Sequence, residues 1–188
     1  MVNIKKDSQK TFSKKTFFLP LLFFALIVTS CGQDESEMNP DSNTGTNSNL
    51  TAPSFSLTSL DGKTVNLADF DKKVVVLFFF GNNCPTCKAA APGIESSLFK
   101  PNESNPNFVL LGLDQWNGNK NSVEAFKTST KVSFPLLLNA SSVAAAYKTT
   151  FDRIVIIDKT GKIAYAGQQN ASSDLDAAKN KVTELLSK

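Results

Sequence analysis

Seven apolar residues in a row, Val74-Val75-Val76-Leu77-Phe78-Phe79-Phe80, lead through Gly81, Asn82 and Asn83 into Cys84-Pro85-Thr86-Cys87 and then an alanine-rich stretch. A continuous apolar run of that length predicts a central β-strand covered on both faces. Pro85 suits the first turn of a helix, where its missing N–H costs little. The order strand, turn, helix puts Cys84 at a helix N-terminus, where the helix dipole stabilises a thiolate. Two thiols separated by two residues in that setting read as a dithiol that can close a small, reducible disulfide. Thr86 lies between them, as a tuner of the couple or as a tolerant surface position.

The rest of the cysteine and histidine inventory narrows the chemistry. The chain has three cysteines, Cys31, Cys84 and Cys87, and no histidine. Cys–His nucleophile pairs, Ser–His–Asp triads and histidine metal ligands are therefore excluded. Attachment of a c-type haem needs histidine after the second cysteine, and Lys88 stands there. A structural zinc site takes four Cys or His ligands. With Cys31 assigned below, two thiols remain, so neither a metal site nor a cofactor is expected.

Residues 1–30 read as an address. Lys5, Lys6, Lys10, Lys14 and Lys15 precede an apolar run of 12 residues from Phe17 to Val28. That run is short of the roughly 20 residues that span a bilayer and fits a signal-peptide core. It ends Val28-Thr29-Ser30-Cys31, which resembles a bacterial lipobox, with Cys31 as the lipidated residue. Residues 31–50 are rich in Asn, Ser, Thr, Gly and acids. Such a segment cannot bury enough surface to fold, and as a coil of about 20 residues it would hold a domain roughly 25 Å from a membrane. The expected location is the cell envelope, anchored through Cys31. The cluster Asp34-Glu35-Ser36-Glu37 resembles an export signal of surface-displayed lipoproteins, but a periplasm-facing anchor is the preferred reading.

The charge argument changes without the leader. Of 20 Lys+Arg and 17 Asp+Glu in the whole chain, residues 1–30 hold five Lys and one Asp, which leaves 15 basic and 16 acidic groups. A net charge of −1 gives no reason to expect nucleic-acid binding.

Residues 51–188 have the size of one domain. Ser54 to Thr58 alternates polar and apolar, and Asp61-Gly62 joins it to Thr64–Leu67 as a hairpin. A helix is expected from Pro85 to about Lys100, kinked at Pro92. Strands are expected at Phe108–Leu113 and Leu136–Leu138, and helices at Asn121–Ser129 and Ser141–Tyr147. A second hairpin joins Ile154–Ile157 to Lys162–Ala166 through Asp158-Lys159-Thr160-Gly161. An amphipathic helix over Ser173–Ser187, with Leu175, Ala178, Val182 and Leu185 on one side, closes the chain. This is an α/β pattern, a sandwich with a mixed sheet.

From about Ala52 onward the chain resembles membrane-anchored thioredoxin-like oxidoreductases of the TlpA type, within the broader redoxin and alkyl hydroperoxide reductase/thiol-specific antioxidant (AhpC/TSA) group. The resemblance is carried by Ala52-Pro53-Ser54-Phe55-Ser56-Leu57 with Asp61 to Leu67, by Val74–Phe80 with Cys84-Pro85-Thr86-Cys87 and Pro92, and by Ile156 to Ile163. It implies a thioredoxin-like three-layer α/β/α sandwich with a mixed central sheet and an N-terminal hairpin extension.

Three positions depart from the family pattern. Asn83 stands where an aromatic usually precedes the first cysteine, and Ala90 where many members carry Glu. Thioredoxin folds also place a cis-proline opposite the disulfide, six residues before the position matched by Asp158; here that position is Asp152. Peroxiredoxins place an arginine in this region, so Arg153 is a displaced counterpart. Strand alternation lets only one of Asp152 and Arg153 face the cysteines, and Arg153 is favoured; the other reading is that both are solvated loop charges. Asp114 and Trp116 follow a strand end, where α/β proteins form sites. Trp116 is either a shield for the disulfide or a loop aromatic packed on the core. Glu95 and Lys88 are read as surface charges.

The function expected is extracytoplasmic thiol–disulfide exchange. Cys84, the more exposed cysteine, attacks a substrate disulfide and Cys87 resolves the mixed disulfide. Partners are protein thiols and disulfides, together with an electron donor in the membrane or envelope. Two alternatives stay open. One is a thiol peroxidase, although Gly81 and Leu77 replace the Thr or Ser and the Pro of the usual peroxidatic motif. The other is a binding protein on a redoxin scaffold.

Overall fold

The computed structural model describes residues 50–188 except Gln169. The expected signal peptide, the lipidation site Cys31 and the polar linker before Leu50 lie outside the described residues.

The apolar run forms β3 (Val74–Phe80), and all seven of its side chains are buried. Successive strand residues point to opposite faces, so β3 feeds two cores. Val74, Val76, Phe78 and Phe80 join one cluster, and Val75, Leu77 and Phe79 join the other. Each fully buried Phe contributes about 1.5–3 kcal/mol of hydrophobic stabilisation. On either side of β3 lie β4 (Phe108–Asp114), parallel, and β6 (Arg153–Ile157), antiparallel. Beyond β4 lies β5 (Leu136–Leu138), parallel to it, and β7 (Ile163–Ala166) closes a hairpin with β6. The N-terminal hairpin, β1 (Ser56–Ser59) and β2 (Thr64–Asn66), adds to the sheet through an antiparallel β1–β5 pairing. The sheet has seven strands in the order β2-β1-β5-β4-β3-β6-β7.

Helices cover both faces. Buried side chains of α1 (Pro85–Ile94), α2 (Lys120–Thr130) and α4 (Leu175–Leu186) pack with Phe78 and Phe80. Val143 and Ala144 of α3 (Ser141–Ala146) pack on the other face with Leu77 and Phe79. This is the thioredoxin-like α/β/α sandwich with a mixed sheet that the sequence led us to expect.

The first helix differs in one respect. Its regular α portion ends at Ile94, and the chain continues through a π turn at Glu95–Phe99 and a 3-10 turn at Lys100–Asn102. Pro92 lies inside α1. It lacks the N–H that would bond back to residue 88 and crowds that carbonyl; a widened turn downstream is a common accommodation. The π turn also brings Glu95 to the loop before β5, where it accepts hydrogen bonds from the Ser133 amide (3.0 Å) and from the Ser133 hydroxyl. Glu95 is thus a tie between elements, with its side chain 12% exposed, rather than the free surface charge expected.

Candidate redox site

The site begins where β3 ends. The Cys84 amide donates to the Gly81 carbonyl (3.0 Å), which closes the turn after the strand. Cys84 is the N-cap of α1 and Pro85 its first residue. Cys84 and Cys87 form a disulfide with Cα atoms 5.3 Å apart. The Cys87 amide donates to Cys84 Sγ (3.1 Å), and the Gly81 amide donates to Cys87 Sγ (3.3 Å). Both sulfurs therefore face backbone N–H groups, which favour a thiolate once the bond is reduced. Cys84 retains 8% exposure and Cys87 1%. Cys84 is the more accessible of the two, as expected, but its surface is largely covered.

Asp152, not Arg153, meets the disulfide. One Asp152 carboxylate oxygen accepts from the Thr86 hydroxyl (2.9 Å), and the other accepts from the Ala171 amide (3.0 Å). A ligand oxygen of Asp152 and both cysteine sulfurs lie within 4.8 Å of one another, and all three residues are buried. The Thr86 oxygen also sits 3.1 Å from Cys84 Sγ. Thr86, although exposed, is therefore joined to the site through both Cys84 and Asp152.

The preference for Arg153 is corrected by its register. Arg153 pairs with Phe79 across β3 and β6, so its side chain shares the face on which Phe79 packs against Tyr147. There its guanidinium donates to the carbonyls of Gly167 (2.6 Å), Lys148 (3.3 Å) and Tyr147 (3.4 Å). Asp152, just before β6, turns the other way and lies with Cys84 and Cys87.

Asp114 has a role the sequence did not reveal. Its carboxylate is fully buried at the end of β4 and accepts from the Asn82 amide, the Asn82 side chain, and the amides of Trp116 and Gly118. It ties the turn carrying the cysteines to the loop after β4. Gly118 permits this closeness, since a Cβ there would fall 2.1 Å from the Asn82 side chain. Trp116 is 55% exposed, and its ring lies against Gly81, where a Cβ would come within 2.4 Å of it. The indole thus covers the turn before Cys84 rather than packing into the core.

A mixed sheet with a disulfide at the N-terminus of the helix after its central strand defines a thioredoxin-like protein with a dithiol site. The AhpC/TSA family model matches residues 49–166, and the chain belongs to that family. It is similar to the thioredoxin-like protein YneN of Bacillus subtilis, 28% identical over 113 residues. It is also similar to the thiol-disulfide oxidoreductase ResA of Geobacillus thermodenitrificans, 32% identical over 123 residues. These matches take in 60% of this chain and 66% and 64% of those two proteins. Among solved structures, one described as a candidate protein disulfide isomerase of Bacteroides thetaiotaomicron superposes with a TM-score of 0.68 at 30% identity, covering 73% of this chain and 89% of that one.

Proposed function

We propose that the protein is a thiol–disulfide oxidoreductase that works through Cys84 and Cys87. The observation that carries this reading is the Cys84–Cys87 disulfide capping α1, with backbone amides directed at both sulfurs. In the reducing direction the Cys84 thiolate attacks one sulfur of a substrate disulfide and forms a mixed disulfide, expelling the other substrate sulfur as a thiol. The Cys87 thiolate then attacks Cys84 Sγ and releases the second substrate thiol. Two electrons and two protons pass from the protein dithiol to the substrate, and the protein is left as the disulfide. The names of YneN and ResA support the class of activity.

The peroxidase alternative draws no support from the site. An arginine that stabilised a peroxidatic thiolate would have to face Cys84, and Arg153 is engaged with three carbonyls on the opposite face.

Reduction of a protein disulfide such as those of insulin, with dithiothreitol as donor, tests the proposal. Cys84→Ser should abolish catalysis, and Cys87→Ser should trap mixed disulfides. A Cys84→Ser protein that turns over at the normal rate rejects it.

We place the domain in the cell envelope, tethered at Cys31, on the strength of the basic segment, the apolar run and the Val28-Thr29-Ser30-Cys31 sequence. The envelope donor and the protein disulfides it serves belong to the same proposal. Labelling of the chain by a radioactive fatty acid in cells, lost in Cys31→Ser, is the expected result.

A further inference from the structure

The two cysteines are not alone at the helix terminus. A carboxylate oxygen of Asp152 lies within 4.8 Å of both sulfurs, and all three residues are buried. We propose that the reduced protein binds a zinc ion through Cys84 Sγ, Cys87 Sγ and the Asp152 carboxylate, and that closing the disulfide releases it. The proposal rests on the reading of Cys84 and Cys87 as a pair that cycles through the dithiol.

The donor set favours this ion. Two thiolates and one carboxylate form a borderline-soft set suited to Zn²⁺, and three protein ligands leave a fourth tetrahedral position open. Zinc-bound sulfurs and oxygens stand about 2.3 Å and 2.0–2.2 Å from the metal. Ligand atoms already within 4.8 Å of one another need only a small adjustment once the S–S bond opens.

The surroundings hold the ligands in place. Thr86 donates to one Asp152 oxygen and the Ala171 amide to the other, so the carboxylate is oriented from both sides. The Gly81 and Cys87 amides donate to the two sulfurs. Outer contacts of this kind orient metal ligands. Among the described residues, none of these hydrogen-bond partners carries a cationic side chain. The deprotonated dithiol with Asp152 would gather three negative charges in a buried space, which a divalent cation relieves.

Binding expels the two thiol protons to solvent as the two Zn–S bonds form. Oxidation of the pair by a disulfide acceptor then takes two electrons from the thiolates, forms the Cys84–Cys87 bond, reduces the acceptor to two thiols with two protons taken from solvent, and frees Zn²⁺. The ion is held in only one redox state.

The test uses the full chain, reduced with a phosphine and titrated with Zn²⁺ against a chromophoric chelator. Co²⁺ serves in parallel as a probe through its thiolate-to-metal absorption. The expected result is one Zn²⁺ per reduced chain, unchanged in Cys31→Ser and absent from the oxidised protein. Asp152→Asn, which keeps the shape of the side chain, and Asp152→Ala should each weaken binding by at least about 10–100-fold, the loss that even an outer-shell change brings. The inference fails if the reduced chain takes up no zinc, if the oxidised chain binds equally well, or if both Asp152 variants bind as tightly as the parent. Disulfide formation is followed on the same samples. A reversible Cys84–Cys87 disulfide without zinc binding overturns the metal site alone. A pair that cannot cycle overturns the oxidoreductase reading.

Discussion

The Asp152 carboxylate accepts the Thr86 hydroxyl proton at 2.9 Å, and the same hydroxyl oxygen lies 3.1 Å from Cys84 Sγ. A hydroxyl has one proton to give. While it is given to Asp152, Thr86 can meet Cys84 only as an acceptor, which suits a thiol and not a thiolate. The nearby negative charge acts in the same direction. Asp152 therefore opposes the helix terminus, which favours the thiolate. In metal-free buffer, Asp152→Ala should raise the rate of Cys84 alkylation at neutral pH several-fold. By stabilising the reduced form it should also make the couple more oxidising. Stopped-flow alkylation across pH checks the first outcome, and an unchanged profile would make Asp152 a bystander to the thiol.

Thr86→Val should act on stability as well. It removes the donor to one oxygen of a buried carboxylate, and an orphaned acceptor of this kind costs about 1–3 kcal/mol. Denaturant unfolding of the oxidised protein measures the loss. Thr86→Ser, which keeps the hydroxyl, should recover most of it.

Asp114 organises the turn that carries the cysteines. Asp114→Ala would strip partners from the Asn82, Trp116 and Gly118 amides and from the Asn82 side chain. These donors are only partly buried and water can meet some of them, so a loss of about 1–3 kcal/mol in all should lower the melting temperature by on the order of 5 °C. Trp116 is the only tryptophan, so its fluorescence reports the loosening of the loop directly.

The tyrosines set an alkaline limit to stability. Burial raises the Tyr147 phenol above its ordinary value of 10.0, and burial with the neighbouring Asp174 pushes Tyr165 up to about 12. In the unfolded chain both lose their protons near pH 10, while the folded protein holds them longer. Their contribution is complete below about pH 10 and declines as pH rises above it. Tyr147→Phe should flatten this decline. It should cost about 1 kcal/mol near neutral pH through loss of the hydrogen bond to the Pro53 carbonyl. Chemical denaturation at pH 8 and pH 11 separates the two effects.

Much of the fold was legible because the apolar runs are long and the turns are marked. Val74–Phe80 announced a central strand, Asp61-Gly62 and Asp158 to Gly161 announced hairpins, and the spacing of Leu175, Ala178 and Val182 announced the last helix. The π turn after Ile94 was not legible, because apolar periodicity records a helical face and not the hydrogen-bond ladder beneath it. At the site, the Cys84-Pro85-Thr86-Cys87 motif is local and could be read from four residues. Asp152 and Arg153 were ordered the wrong way round, because two adjacent residues do not by themselves say which face of β6 meets the cysteines. A clue lay in the alternation itself. Arg153 continues the set Val155 and Ile157, which packs on the face away from the cysteines. Asp114 left no signal beyond its place at a strand end, because its partners are backbone amides 32 residues back and two to four residues ahead.

Cys84 and Cys87 are expected to form a working two-electron couple. The most direct measurement is an equilibrium redox titration of the full chain in dithiothreitol and glutathione buffers free of metal, read by alkylation and mass. One reversible transition that joins Cys84 to Cys87 is expected, with a midpoint between about −270 and −120 mV, the span of thioredoxin-type dithiols. A pair that forms no reversible disulfide at any buffer ratio would contradict it.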